Sequence, residues 1–154
     1  MKTILFVCIG NICRSPMAEI ILKSRLASTH PDVIVNSAGL GALVDHQADP
    51  IGQQLLRERG LDLSTHRARQ LTQSILFASD LVLTMTRDQQ EQIELLYPAM
   101  RGRVHRLGKW GNFDVPDPYK RHNFIFEQSL VMIEQGIDEW ILRVWGSVNR
   151  EIYT

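Results

Sequence analysis

The strongest constraint on this chain lies near its N-terminus. There an apolar, β-rich run, Ile4-Leu5-Phe6-Val7, leads into Cys8-Ile9-Gly10-Asn11-Ile12-Cys13-Arg14-Ser15 and then Pro16. The amphipathic pattern that follows, Met17 to Leu26, predicts a helix. A strand, a short loop and a helix start form an arrangement in which backbone N–H groups converge on an anion. This loop carries a thiol at one end and a guanidinium at the other. Ser15 reads as the helix N-cap and Pro16 as the first helical residue. The chemistry suggested is a thiolate nucleophile in a phosphate cradle.

The rest of the chain continues the alternation. Strands are predicted at Thr3–Cys8, Val33–Ser37, Leu81–Met85 and Val104–Leu107. Helices are predicted at Pro16–Ala27, at Ala48–Arg59 closed by Gly60, at Thr72–Ala78, at Asp88–Leu96 before Pro98, and from Phe124 to Val148. Gly39–Gln47, Leu61–Gln70 and Gly108–His122 read as irregular or loop. In the last helix Phe126, Leu130, Ile133, Ile137, Ile141, Val144 and Val148 recur at steps of three and four. Gly136 and Gly146 interrupt that pattern at about 1 kcal/mol each relative to alanine, which predicts a kink or an early end. Trp140 and Trp145 are assigned to packing that helix on the sheet.

Such alternation predicts an α/β fold with a mostly parallel sheet and helices on both faces. At 154 residues the chain holds one domain with a real core and is too short for two. Ligands of such sheets sit beyond the carboxyl ends of the strands, where strand order reverses. The Cys8–Ser15 loop follows strand one, and the loop after strand four, with Asp114 and Asp117, opens on the same edge.

Lysine plus arginine equals aspartate plus glutamate at 17 each, so charge gives no reason to expect nucleic acid or an anionic membrane as partner. No apolar stretch approaches the roughly 18 residues of a membrane span. The apolar run after Lys2 is short and ends in Asn11 and Arg14, unlike a cleavable signal peptide. The two cysteines lie in one loop, which fits reactive thiols in a reducing cytoplasm and not a disulfide framework. A helix N-terminus and a nearby arginine both favour a thiolate. Gly10 lets the backbone turn closely around a bound group, Asn11 tolerates a left-handed conformation, and Arg14 can hold two oxygens of a tetrahedral anion. A nucleotide-binding loop is excluded: Gly108-Lys109-Trp110 lacks the hydroxyl residue and the upstream spacing. None of the five histidines has partners at metal-ligand spacing, so neither metal nor cofactor is expected.

Cys8-x5-Arg14-Ser15 and Asp117-Pro118-Tyr119, in this order and spacing, resemble the low-molecular-weight protein tyrosine phosphatases over essentially the whole chain, residues 1–154. Ser37-Ala38-Gly39-Leu40-Gly41-Ala42-Leu43 is similar to the bacterial branch that accompanies autophosphorylating tyrosine kinases of capsule and exopolysaccharide export. The resemblance implies a four-stranded parallel sheet in the order 2-1-3-4. It implies that Cys8 is the nucleophile, that Arg14 and the loop from Ile9 through Gly10, Asn11, Ile12 and Cys13 to Ser15 bind phosphate, and that Asp117 is the general acid and base. Asp114 is the rival acid three residues away. The resemblance also makes Asn11, Ser15, Ser37 and His66 a network that shapes the loop. Ser15 would donate to the Cys8 sulfur as well as cap the helix. Ile9, Leu40 and Tyr119 are candidate cleft walls, with Leu43 a weaker one. Cys13 is a candidate redox partner for Cys8, with a small buried packing residue as the alternative.

The implied partner is a phosphotyrosine protein, in particular the tyrosine-rich tail of a membrane-anchored bacterial tyrosine kinase. Where many relatives have a second tyrosine after Tyr119, this chain has Lys120, and with Arg121 it makes the rim basic. An arsenate reductase on the same scaffold would need further cysteines, and none follows Cys13. A module that only reads phosphotyrosine would not need Cys8, Arg14 and Asp117 together.

Overall fold

The computed structural model describes residues 1–146. Four parallel strands, β1 (Thr3–Cys8), β2 (Ile34–Gly39), β3 (Leu81–Thr84) and β4 (Val104–Arg106), form one sheet in the order β2-β1-β3-β4. The helices are α1 (Arg14–Leu26), α2 (Pro50–Glu58), α3 (Gln73–Phe77), α4 (Arg87–Leu96) and α5 (Asn123–Val144). β1 is hydrogen-bonded on both sides, with Val7 opposite Ala38 of β2 and Thr84 of β3. Its residues alternate between two cores. Ile4, Phe6 and Cys8 face α1 and α5 among Met17, Ile21, Phe126 and Leu130. Leu5 and Val7 face Leu76 of α3 and Ile93 of α4. Burying each such large side chain contributes roughly 1.5–3 kcal/mol, so the strand is held from both faces. The chain leaves β1 for β2 on one side and returns to β3 on the other, so strand order reverses at the end of β1.

Local chemistry sets the helix ends. Asp49 accepts the Ile51 N–H at 3.0 Å, which starts α2 at Pro50, two residues later than the pattern suggested. Thr72 and Thr86 cap α3 and α4, accepting from the Ile75 and Gln89 amides. At the end of α5, Gly146 takes φ +85° and returns its N–H to the Ile141 carbonyl, so the helix stops at Val144 and Gly146 sets an early end. Ser147 and Val148 of the predicted stretch lie outside the described residues. Gly136 causes no break. A Cβ there would come within 2.7 Å of the Leu107 side chain, so glycine lets α5 lie against the segment after β4. Trp140, on the same face, donates its indole N–H to the Leu107 carbonyl at 2.9 Å.

Candidate active site

The loop after β1 is shaped by what happens to its carbonyls. Those of Cys8, Ile9 and Gly10 accept the N–H groups of Leu40, Gly41 and Leu43 at 2.9, 3.0 and 3.0 Å. The Asn11 carbonyl accepts from His66 Nε2 at 2.7 Å, which assigns the ring proton to that nitrogen. The Ile12 carbonyl accepts from Asp49 N–H, and that of Cys13 from Met17 N–H inside α1. With the carbonyls engaged outward, the loop amides and the first turn of α1 are left to converge on the hollow. Asn11 makes the turn with φ +58°. Gly39 permits the close approach of the neighbouring loop, since a Cβ there would stand 2.4 Å from the Ile9 carbonyl oxygen.

Ser15 does not cap α1. The N-cap position is Cys13, with no side-chain cap. The Ser15 hydroxyl lies 2.9 Å from Cys8 Sγ and accepts from Asn11 Nδ2 at 2.8 Å. Because its oxygen accepts from Asn11, its own proton is free to point at the sulfur. The helix starts at Arg14, two residues before the predicted Pro16, so Ser15 lies inside its first turn and not at the cap, with its hydroxyl committed to the thiol. Asn11 also donates to Ser37 Oγ at 2.9 Å and accepts the Arg69 N–H at 2.9 Å. Arg69 was not singled out from the sequence, yet its Nε also donates to the Ser37 carbonyl. Its only sequence signal was a charge near His66.

Arg14 is buried, 3% exposed, at the start of α1. Its Nη1 donates to the Val115 carbonyl at 2.9 Å, and Nη2 lies 3.6 Å from the Asp117 carboxylate. Its Nε is buried and has no partner among the described residues. A guanidinium N–H held out of water without an acceptor is costly unless an anion takes it. Asp117 is half exposed and accepts the Tyr119 N–H on Oδ1 at 3.1 Å. Asp114 is directed elsewhere: its Oδ1 accepts from Arg106 Nη1 and from the Arg87 amide, both at 3.0 Å.

These groups surround a pocket of about 160 Å³. Cys8, Gly10, Cys13 and Arg14 line it, with Ile9, Ile12, Leu43 and Tyr119 as apolar surfaces and Asp117 at one side. Leu40, expected as a wall, does not line it; its side chain packs on the core of the opposite sheet face with Leu5 and Val7. Leu43 and Gly41 occupy that side instead. Ser37 and His66 do not line the pocket, and each is hydrogen-bonded to the loop at Asn11. Cys8 and Cys13 are free, buried thiols. Burial pushes the Cys13 thiol far up, reinforced by the negative charges of Asp49, Cys8 and Asp117 against the opposing pull of Arg14. Among the described residues, no group of three or more His, Cys, Asp or Glu side chains is placed to hold a metal ion, and no helix is long and apolar enough to cross a membrane.

A family model described as low molecular weight phosphotyrosine protein phosphatase matches residues 3–152. A probable low molecular weight protein-tyrosine-phosphatase, EpsP of Ralstonia nicotianae, is 46% identical over 144 residues, covering 94% of this chain and 97% of the relative. The crystal structure of the tyrosine phosphatase Wzb from Escherichia coli in complex with sulphate superposes with a TM-score of 0.86 at 36% identity, covering 93% of this chain and 98% of that one. The arginine phosphatase YwlE from Geobacillus stearothermophilus superposes with a TM-score of 0.85 at 28% identity, covering 94% of each.

Proposed function

Because the chain belongs to the low molecular weight phosphotyrosine protein phosphatase family, a family of hydrolases, we propose that it hydrolyses phosphotyrosine in proteins through a phosphocysteine intermediate. The observation that carries this reading is the buried, unpartnered Nε of Arg14 in a pocket whose other walls include Cys8 and Asp117. Phosphoryl oxygens would lie on the loop amides and on Arg14. The Cys8 sulfur attacks phosphorus, the P–O bond to the tyrosine breaks, and Asp117 gives its proton to the departing phenolate. Water then attacks the S–P bond and loses a proton to Asp117, which regenerates the thiolate and releases phosphate. Ser15 stabilises the sulfur each time it becomes an anion.

The tyrosine specificity follows from the walls. Ile9, Ile12, Leu43 and Tyr119 offer apolar and aromatic surface to a ring but few polar partners to a guanidinium. A phosphoserine side chain is too short to carry its phosphoryl group to the loop while its backbone stays outside. The substrate we favour is an autophosphorylating tyrosine kinase of capsule or exopolysaccharide production, acting in the reducing cytoplasm. The stretch Ser37–Leu43 and the similarity to EpsP and Wzb support it.

Phosphate release from a phosphotyrosine peptide tests the proposal. Wild type is expected to turn over while Cys8→Ser falls to background. Phosphoserine and phosphoarginine peptides are expected to be poor substrates. Turnover that survives Cys8→Ser, or a preference for phosphoarginine, would refute it. The acid role is tested by Asp117→Asn, which is expected to slow phenyl phosphate by about 10²–10³-fold and an aryl phosphate with a good leaving group far less. Equal losses on both would remove Asp117 from the role.

A further inference from the structure

The wall formed by Tyr119 carries a cation beside it. Lys120 is exposed, and its Nζ lies 5.3 Å from the centroid of the Tyr119 ring, which lines the pocket. It is the third residue of a turn closed by the Arg121 N–H on the Pro118 carbonyl at 2.9 Å. Lys120 has φ +56°, a conformation that glycine or asparagine adopts with less strain at that turn position. Turn geometry alone therefore does not call for lysine, and what the position presents is a long cationic side chain against the ring.

The charges around it leave that cation unanswered. Asp117 faces Arg14 at 3.6 Å, and Asp114 is tied to Arg106 and the Arg87 amide. Among the described residues Lys120 is in no ion pair. Arg121, also exposed, adds a second positive charge to the same turn. A peptide whose phosphotyrosine ring lies along Tyr119 keeps its backbone outside the pocket. Its adjacent residue is then only about 3.8 Å of chain away, within reach of a lysine side chain.

We propose that Lys120 is a specificity-determining residue that selects phosphotyrosines flanked by a second anion, either a carboxylate or another phosphoryl group on the adjacent residue. This rests on the phosphotyrosine reading and adds to it a sequence preference around the scissile group. Across a wet rim the attraction is modest and screened, so the expected preference is about three- to tenfold in kcat/KM.

The test compares phosphotyrosine peptides whose neighbouring residue, before or after the ring, is alanine, aspartate, lysine or a second phosphotyrosine. The readout is the ratio of kcat/KM for the anion-flanked peptide to that for the alanine-flanked one, so a general loss of activity in a variant cancels. Wild type is expected to show a ratio of about three to ten at low salt. The ratio should shrink toward one between about 50 and 500 mM salt. Lys120→Arg should keep it, Lys120→Ala should bring it near one, and Lys120→Glu should invert it in favour of the lysine-flanked peptide. The aspartate and phosphotyrosine arms tell a carboxylate from a phosphoryl group as the recognised anion. A wild-type ratio of one overturns the proposal, as does a preference that survives Lys120→Ala but is lost in Arg121→Ala. Failure of the underlying reading looks different, because then no phosphotyrosine peptide is hydrolysed whatever its flank.

Discussion

Asn11 is completely buried at φ +58°, and its carboxamide is used at both ends, donating to Ser15 and Ser37 and accepting from the Arg69 amide. Its main-chain carbonyl meanwhile accepts a hydrogen bond from His66 Nε2. Asn11 therefore orients the hydroxyl that points at the sulfur and also ties the loop to β2 and to the 66–69 segment. Asn11→Ala leaves buried hydroxyl and amide groups short of partners, at about 1–3 kcal/mol for each one that water cannot reach. A denaturant midpoint should register a loss of about 2–3 kcal/mol. The Ser15 hydroxyl, released from its acceptor role, would also lose its aim, so kcat should fall by about tenfold or more. A double-mutant cycle with Ser15→Ala checks the route: if Asn11 acts through Ser15, the two losses in kcat are clearly less than additive. Additive losses would mean that Asn11 acts on the loop independently of the sulfur contact.

Between residues and elements lies most of what the sequence did not disclose. The Cys8–Arg14 spacing and the Asp117-Pro118-Tyr119 loop were legible because β1 and β4 end on the same sheet edge and the chain has little freedom there. Leu40 comes in as a wall through the resemblance, and the pattern of the chain could not correct it, because alternation sets side-chain direction only within a strand. One residue beyond β2, the direction depends on the hydrogen bonds Leu40 N–H to Cys8 and Gly41 N–H to Ile9. Ser15 reads as a cap because Ser-Pro marks a helix start, but α1 begins at Arg14, which leaves Ser15 inside the first turn, while its contact with the Cys8 sulfur is as expected. The same two-loop contact gives an element-scale prediction. Gly39 pairs with Cys8 in the sheet and with Gln70 beyond it, and the Ile9 carbonyl lies where its Cβ would be. Gly39→Ala must push the catalytic loop and the Leu40–Leu43 loop apart by about 1 Å, and misplacement on that scale costs about a hundredfold in rate. Steady-state kinetics should show the loss mainly in kcat/KM while circular dichroism keeps the α/β signature. Near-normal kinetics would show that the loops can separate without moving the phosphate-binding amides.

At the scale of the molecule, stability and chemistry are held at different places. The pocket sits where β1 ends, whereas the helices on one face are tied together by a set of ion pairs. Buried Arg25 near the end of α1 pairs with Asp138 and Glu134 of α5, and Arg59, just past α2, holds Glu134 with two donors at 2.8 and 3.2 Å. Glu134 thus links three helices, and none of these groups lines the pocket. Removing it leaves Arg25 with less negative charge than it faces now, although Asp138 remains. Breaking one partner of a fully buried pair costs about 3–5 kcal/mol. Glu134 is a fifth exposed and Arg25 keeps a second carboxylate, so Glu134→Ala is expected to cost nearer 1–2 kcal/mol. For a chain of this length that lowers Tm by about 2–8 °C. Because the sheet edge and the loops after β1 and β4 do not depend on these side chains, kcat and KM measured well below the transition should stay within about twofold of wild type. Calorimetry and kinetics on the same sample decide it. A lower Tm with intact turnover supports this division of labour, and turnover lost at a temperature where the variant is still folded would show that the helix clamp also sets the geometry of the phosphate loop.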